Sequence, residues 1–310
     1  MTEYRNFHIG EAQIQAESGV DTKGYDDGVD QMFLPEMNPT EEAFIAERTF
    51  SVAASLDVDG RPWASPLIGK TGELFTVENL TTVRVRPRSF EGDPLFENVA
   101  AVPSMGILYF NPSTRRRAKS LGHGIVGYDG SITYTMTRLF GICPKYIFKR
   151  DHAPDADAAP IPEGRGLTAE ISKTLSDQDR EQLVSADTIF FASNSEAHGA
   201  DPTHRGGKPG FVTVLDEATL TIPDYEGNGM FQTLGNLVLD DRIGLLSIDF
   251  QTGRILQLTG SGSISAEDDD PKKRVVTIKI HEVRSTYGDI GAWIDVAESP
   301  YVHILAWSPA

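Results

Sequence analysis

The apolar positions of this chain fall mostly in short runs with the period of a strand. "FSVAASLDV", "GELFTV", "GILYF", "GFVTVL", "TLTIP" and "IGLLSIDF" alternate or run continuously apolar, with Gly, Asp, Asn and Pro turns between them at short spacing. That pattern predicts antiparallel strands in a barrel or sandwich. Helical spacing is confined to a few places. "PTEEAFIAERTF" and "SDQDREQLVSAD" open with a capping candidate and first-turn acids, at Pro39-Thr40-Glu41-Glu42 and Ser176-Asp177-Gln178-Asp179, which suits the partial positive charge of a helix start. One further helix per half is predicted at "PLFENV" and "MFQTLGNL". In the second of these, Phe231, Leu234, Leu237 and Val238 share a face, directly after "PDYEGNG", Pro223 to Gly229. Gly227, Asn228 and Gly229 allow close backbone approach, and N–H groups at a helix start can hold a phosphate. An ordinary strand-to-helix turn uses the same residues for conformational reasons alone.

The pattern repeats. "MGILYFNPSTRRRAKSLGHGIV" from Met105 aligns with "IGLLSIDFQTGRILQLTGSGSI" from Ile243, so that Gly106, Leu108, Thr114, Arg116, Gly122 and Gly124 match Gly244, Leu246, Thr252, Arg254, Gly260 and Gly262 at one offset, 244 − 106 = 138. Upstream, "GDPLFENV" from Gly92 aligns with "GNGMFQTL" from Gly227, and "VAASLDVDG" with "FFASNSEAHG", with small loop shifts. A period this long indicates two copies of a domain, not a solenoid. The expected organisation is an N-terminal extension over 1–40, a first repeat over 41–150, a linker over 151–166 ("DHAPDADAAPIPEGRG") and a second repeat over 167–310. A chain of 310 residues is long enough for two such cores.

A formal net charge of −17 argues against nucleic acid and anionic lipid as partners. The compact basic cluster Arg115, Arg116, Arg117 and Lys119 suits a small anionic ligand instead. Cys143 is the single cysteine, which excludes an intramolecular disulfide and a Cys-based zinc cage and fits the cytoplasm. No apolar run of about 18 or more residues would span a bilayer, and the N-terminus lacks a secretion signal. The seven histidines, His8, His123, His152, His198, His204, His281 and His303, show no ligand spacing. Each is therefore expected in a loop or at the surface, and no metal site is expected.

Taken in order, "FHIGE" at Phe7, "DGRPWASPL" at Asp59, "GDPL" at Gly92, "TRRRAKSLG" at Thr114, "CPKYI" at Cys143, "THRGGKPGFVTVLD" at Thr203 and "PDYEGNGMFQTLGNL" at Pro223 resemble the FMN-binding split-barrel proteins related to pyridoxamine 5′-phosphate oxidase, in a tandem branch. The resemblance implies a mainly β (α+β) fold of two tandem split β-barrels with short flanking helices. Each barrel would have six strands, and the two would form an intrachain pseudo-dimer with FMN at their interface. It leaves open whether chains also form a homodimer.

FMN needs cations or N–H donors at its phosphate and stacking surface at its ring system. The resemblance assigns Thr203, His204, Arg205 and Lys208 to a phosphate-facing loop opened by Gly206 and Gly207, with a solvated loop as the alternative. It assigns Asp224, Tyr225, Gly227, Asn228, Gly229 and Met230 to the flavin, with the helix starting near Met230 pointing at the ligand. Related proteins often carry basic residues after the Gly-Asn pair, where this chain has Gly229 and Met230. Arg115 and Arg117, expected on one face of a strand, would then clamp the phosphate; an ion-paired interface or a solvent-facing strand is the alternative. Arg116 and Arg254 look structural. Lys145 and Tyr146 are weak catalytic candidates beside Cys143.

The function implied is an FMN-dependent oxidoreductase moving a hydride between flavin and a small substrate or NAD(P)H. The alternatives are a non-catalytic flavin-binding module and a split barrel holding haem or deazaflavin. In the first copy, Asp93 and Pro94 stand where a phosphate-facing turn would need donors, whereas the second copy lacks the triple arginine. Such complementary losses predict one composite site and one FMN per chain.

Overall fold

The computed structural model describes residues 5–152, 168–267 and 270–297. Most of the expected linker, and His303, lie outside the described residues. After the helices α1 (Ile9–Glu17), α2 (Thr22–Val29) and α3 (Pro39–Ala46), the chain builds a sheet from β1 (Phe50–Leu56), β2 (Pro62–Ile68), β3 (Phe75–Asn79), β4 (Thr82–Val85), β5 (Ser104–Asn111), β6 (Arg116–Val126) and β7 (Ile132–Ile142), with α4 (Leu95–Ala101) before β5. The short strands β8 (Lys149–His152) and β9 (Glu170–Ser172) follow. Then come α5 (Asp177–Ser185), β10 (Thr188–Ser195), β11 (Gly199–Gly206), β12 (Thr213–Val214), β13 (Thr219–Asp224), α6 (Gln232–Leu239), β14 (Arg242–Asp249), β15 (Arg254–Glu267), β16 (Asp270–Tyr287) and β17 (Trp293–Ala297). Among the described residues no helix is long and apolar enough to cross a membrane.

The fold is mainly β, and its ladders are antiparallel. The first sheet runs β2-β1-β5-β6-β7-β4-β3 and the second β11-β10-β14-β15-β16-β13-β12. These are the same order, strand for strand. The resemblance implied six-stranded barrels; the sheets instead have seven and eight strands with free ends, and neither closes. The offset of 138 reappears in the backbone. A register shift falls between Leu121 and Gly122 in one sheet and between Thr259 and Gly260 in the other. A Cβ on Gly122 or Gly260 would lie 2.1 Å from a carbonyl oxygen of the neighbouring strand, so the matched glycines mark matched bulges.

The helices before β5 and β14 also obey this offset. Asn98 in α4 donates to Ser55 at 3.0 Å and Asn236 in α6 donates to Ser193 at 2.8 Å, which pairs Asn98 with Asn236. The structure therefore corrects the alignment of Gly92 with Gly227 by three residues: "FENV" matches "LGNL".

Each sheet wraps its own apolar core, and a third core lies between them. Phe50 is its hub, with ring centroids 5.8–6.0 Å from those of Phe110, Phe190, Phe250 and Trp293 in edge-on contacts. Such rings add to area burial when they meet edge to face. Gly106 of β5 packs on Ala200 of β11, and Gly244 of β14 packs on Pro62 of β2. A Cβ there would come within 2.3 and 2.5 Å of those carbonyl oxygens, so small residues let the two sheets touch through their backbones.

The N-terminal segment, expected as an extension, forms α1 and α2. α1 lies against α6 and α2 against the turn before it, a placement set by apolar and polar contacts between distant segments.

Candidate functional site

One cavity of about 120 Å³ opens where β6 of the first sheet meets β11 and the start of α6. It is lined by Arg117 and Lys119 of β6, by Thr203 to Gly206 of β11, and by Pro223 to Tyr225 and Gly227 to Leu234 around the turn into α6. Ile142, Cys143, Tyr146 and Phe211 complete the wall. Period-two alternation puts Arg117 and Lys119 on one face of β6.

Lys119 is 1 % exposed and bridges the two sheets. Its ammonium donates to the Asp201 carboxylate, to Thr203 Oγ1 at 3.3 Å and to Gln232 Oε1 at 2.9 Å. Burial pushes the Lys119 pKa down and the Asp201 pKa up, each opposed by the charge of the other. Arg205 Nη1 donates to Asp224 Oδ1 at 2.5 Å, so this pair within the second sheet neutralises itself.

Arg117 differs. It is 8 % exposed and donates through Nε to the Cys143 carbonyl oxygen at 2.8 Å and through Nη1 to His204 Nδ1 at 2.8 Å. No carboxylate of the described residues lies within ion-pair distance of it, and burial lowers its pKa. A guanidinium only donates, so Nδ1 of His204 accepts and the imidazole proton sits on Nε2. Burial, with Arg117 beside it, holds His204 well below the usual imidazole range, so the ring is neutral. Its Nε2 is buried without a hydrogen-bond partner among the described residues, as are Arg205 Nε and Thr233 Oγ1. Helix α6 adds backbone donors: its N-cap, Phe231, has a left-handed backbone (φ 54°) and no side chain caps the first turn. Tyr146 and Tyr225 supply ring surface with centroids 5.5 Å apart, and burial raises both phenols to about 12.

Thr203, His204, Arg205, Asp224, Tyr225, Gly227, Asn228, Gly229, Met230, Arg117 and Tyr146 thus meet at one cavity. Three expected residues do not line it. Lys208 is exposed in the turn after β11. Arg115 precedes β6, with φ 54°, and its Nε donates to the Ile147 carbonyl oxygen. It therefore shares no strand face with Arg117, because the turn from β5 ends one residue later than the alternation assumed. Lys145 contributes only its carbonyl oxygen, which accepts from Arg117. The basic segment after Thr203 is strand through Gly206, not loop. Arg254 is structural, buried against Asp179 and Gln182 of α5, while Arg116 lies over the Phe44 ring. Gln232 and Thr233 were not expected at the site, and Lys119 was expected only as part of the basic cluster suited to a small anion. Lys119 was legible from the period of β6 counted from Arg117, whereas the α6 residues depend on where the helix begins.

His204 is a correction as well, since it is buried in β11 and is neither a loop nor a surface residue. His8 caps α1 through Nδ1, which accepts from the Gly10 and Glu11 amides at 3.2 and 3.3 Å. With His198 and Glu11 it forms a compact cluster, each imidazole Nε2 being 3.5 Å from the Glu11 carboxylate. Because Nδ1 accepts, the His8 proton is on Nε2, which meets Asn236 Oδ1 at 2.8 Å. That tautomer offers a metal no lone pair at Nε2.

No protein-family model and no curated protein matches the chain. Among solved structures, a Clostridium acetobutylicum protein related to general stress protein 26, of the pyridoxinephosphate oxidase family, is 13 % identical and aligns over 38 % of this chain and 92 % of its own, with a TM-score of 0.29. Group A Streptococcus HupZ is 15 % identical over 38 % of this chain and 98 % of its own, TM-score 0.30. General stress protein 26 of Bacillus anthracis is 8 % identical over 38 % of this chain and 97 % of its own, TM-score 0.27.

Proposed function

We propose that the cavity binds FMN and that the protein is an FMN-dependent oxidoreductase built from two tandem split barrels, over 41–150 and 167–310, paired within one chain. The observation that carries this reading is Arg117, a buried guanidinium with no carboxylate partner among the described residues. A buried cation without a counter-ion is costly, and an anionic ligand at the cavity wall supplies one. The remaining donors fit a phosphate: the open first turn of α6 and the Thr203 and Thr233 hydroxyls. The Tyr146 and Tyr225 rings and the Gly227 to Gly229 backbone suit a flat ring system.

FMN, when bound, takes up a hydride and returns it. The chain's residues do the rest. Arg117 holds the anionic end, while Lys119, whose three N–H donors go to Asp201, Thr203 and Gln232, ties β6 to β11 and the start of α6 and so fixes the cavity wall. Asp224 holds Arg205 in place. His204 keeps Arg117 aligned through Nδ1 and offers an Nε2 proton without carrying charge. The electron donor would be a small substrate or NAD(P)H.

The test is a visible spectrum and a fluorescence titration with FMN and riboflavin. Yellow protein, or tight binding of added FMN with much weaker riboflavin binding, is expected. A colourless protein that binds neither refutes the reading. Bleaching of bound flavin by NAD(P)H or a substrate separates turnover from a pure binding module.

A further inference from the structure

The cavity turn is held from outside its own sheet. Gly227 to Gly229 connects β13 to α6, and two glycines in three residues give it little rigidity of its own. Its carbonyl oxygens accept from the N-terminal helices, 203 and 214 residues away in sequence: Tyr25 Oη donates to Asn228 at 2.5 Å and Gln15 Nε2 donates to Gly229 at 3.2 Å. The Tyr25 ring covers Gly229, whose φ is 79°; a Cβ there would meet the ring at 3.8 Å. The next residue, Met230, is buried in a cluster with Phe7 and Val29.

Helix α1 is also locked to α6. A Cβ on Gly10 would lie 2.2 Å from the Gly235 carbonyl oxygen, and one on Gly235 would lie 2.5 Å from the Glu11 amide. Backbones can cross this closely only where both residues are glycine. Gln15 is the informative residue. It is wholly buried, yet its Oε1 has no partner among the described residues. Leaving a buried acceptor unsatisfied is less favourable than an apolar side chain of similar shape, so filling space does not explain a glutamine there. Its bond to Gly229 does.

The geometry points to α1 and α2 as a clasp that holds the cavity turn in its ligand-ready shape, with Tyr25 and Gln15 as positioning residues. The clasp rests on the reading that this cavity binds a ligand. Linkage then runs both ways: a ligand resting on residues 227–230 stabilises the clasp as much as the clasp favours the ligand.

Hydrogen exchange of the full chain, with and without FMN, tests this together with FMN titration of Gln15→Met and Tyr25→Phe. Gln15→Met is expected to melt at the wild-type temperature or above. It nevertheless exchanges faster over 227–233 and binds FMN about tenfold more weakly, as loss of roughly one hydrogen bond implies. Tyr25→Phe shows the same changes at about fivefold, and its wild-type ring and fold decide the matter if Gln15→Met proves unstable. FMN slows exchange over 9–29 in the wild type. Wild-type exchange over 227–233 and wild-type affinity in both variants would overturn the clasp. If the wild type binds no FMN, the ligand assignment fails, and exchange over 227–233 in the variants still decides the clasp by itself.

Discussion

The two matching corners of this molecule, at the starts of α4 and α6, solve one electrostatic problem in opposite ways. In the first, the Asp93 carboxylate accepts from Ser65 Oγ at 2.5 Å, from the Leu95 amide at 3.0 Å and from Gln257 Nε2 at 3.4 Å. At the offset of 138, Ser65 becomes Thr203, Gln257 becomes Lys119 and Asp93 becomes Phe231. The second corner keeps the hydroxyl, exchanges an amide for an ammonium, adds Arg117 where the first has Ile255, and has no carboxylate at the helix start. A helix N-terminus ringed by donors calls for an anion. The first corner has one attached to the chain; the second, on the proposed function, would gain one by binding it.

Stoichiometry is the largest contrast this comparison predicts. Native mass spectrometry of the FMN-loaded protein should show one flavin per chain, and two would show that Asp93 does not fill the first corner. Next is Arg117→Met, expected to weaken FMN on the order of 100-fold, since a charge-assisted contact is worth about 1.5–3 kcal/mol, with riboflavin little changed. Equal weakening of both ligands would move the phosphate away from Arg117. Moving the carboxylate across, with Phe231→Asp, should reduce FMN affinity at least about tenfold through like-charge repulsion. Unchanged affinity would break the equivalence of the two helix starts.

Smaller effects should appear in stability. Asp93→Ala removes the acceptor of the Leu95 amide and of Ser65 Oγ, at a cost of about 1–2 kcal/mol in thermal or urea unfolding, without altering FMN affinity. His204 gives the second corner a pH signature. Its folded pKa is depressed, so its contribution is complete above the unfolded value of about 6.5 and is lost as pH falls below it. Unfolding free energy should decline there by up to about 1.4 kcal/mol per pH unit, and His204→Gln should flatten that limb. An unchanged limb in the variant would mean that His204 is protonated in the folded protein.

Much of this was readable in order along the chain. Period-two runs and turn residues gave the antiparallel strands, and Ser176 with first-turn acids gave the start of α5. The matched glycines gave the duplication offset, because a bulge or a backbone contact tolerates no Cβ and so marks the same position twice. Ten of the twelve residues expected at the cofactor line the cavity, since their motif places β11 and the turn into α6 side by side.

What escaped was decided between segments. The face of β6 that meets the cavity depended on one residue in the turn before it, and Arg115 fell on the wrong side of that turn. Which cations remain unpaired could not be known until Asp201 and Asp224 met Lys119 and Arg205, leaving Arg117. Nothing local in residues 5–33 announces that Tyr25 and Gln15 reach Asn228 and Gly229. Sequence alone showed periodicity, turns and the recurrence at an offset of 138, because these are local or repeated. Tertiary structure decided charge pairing, helix start and clasp, because each depends on a partner on another element, 82 residues away for Lys119 and Asp201 and 203 for Tyr25 and Asn228, or on a single-residue shift of register.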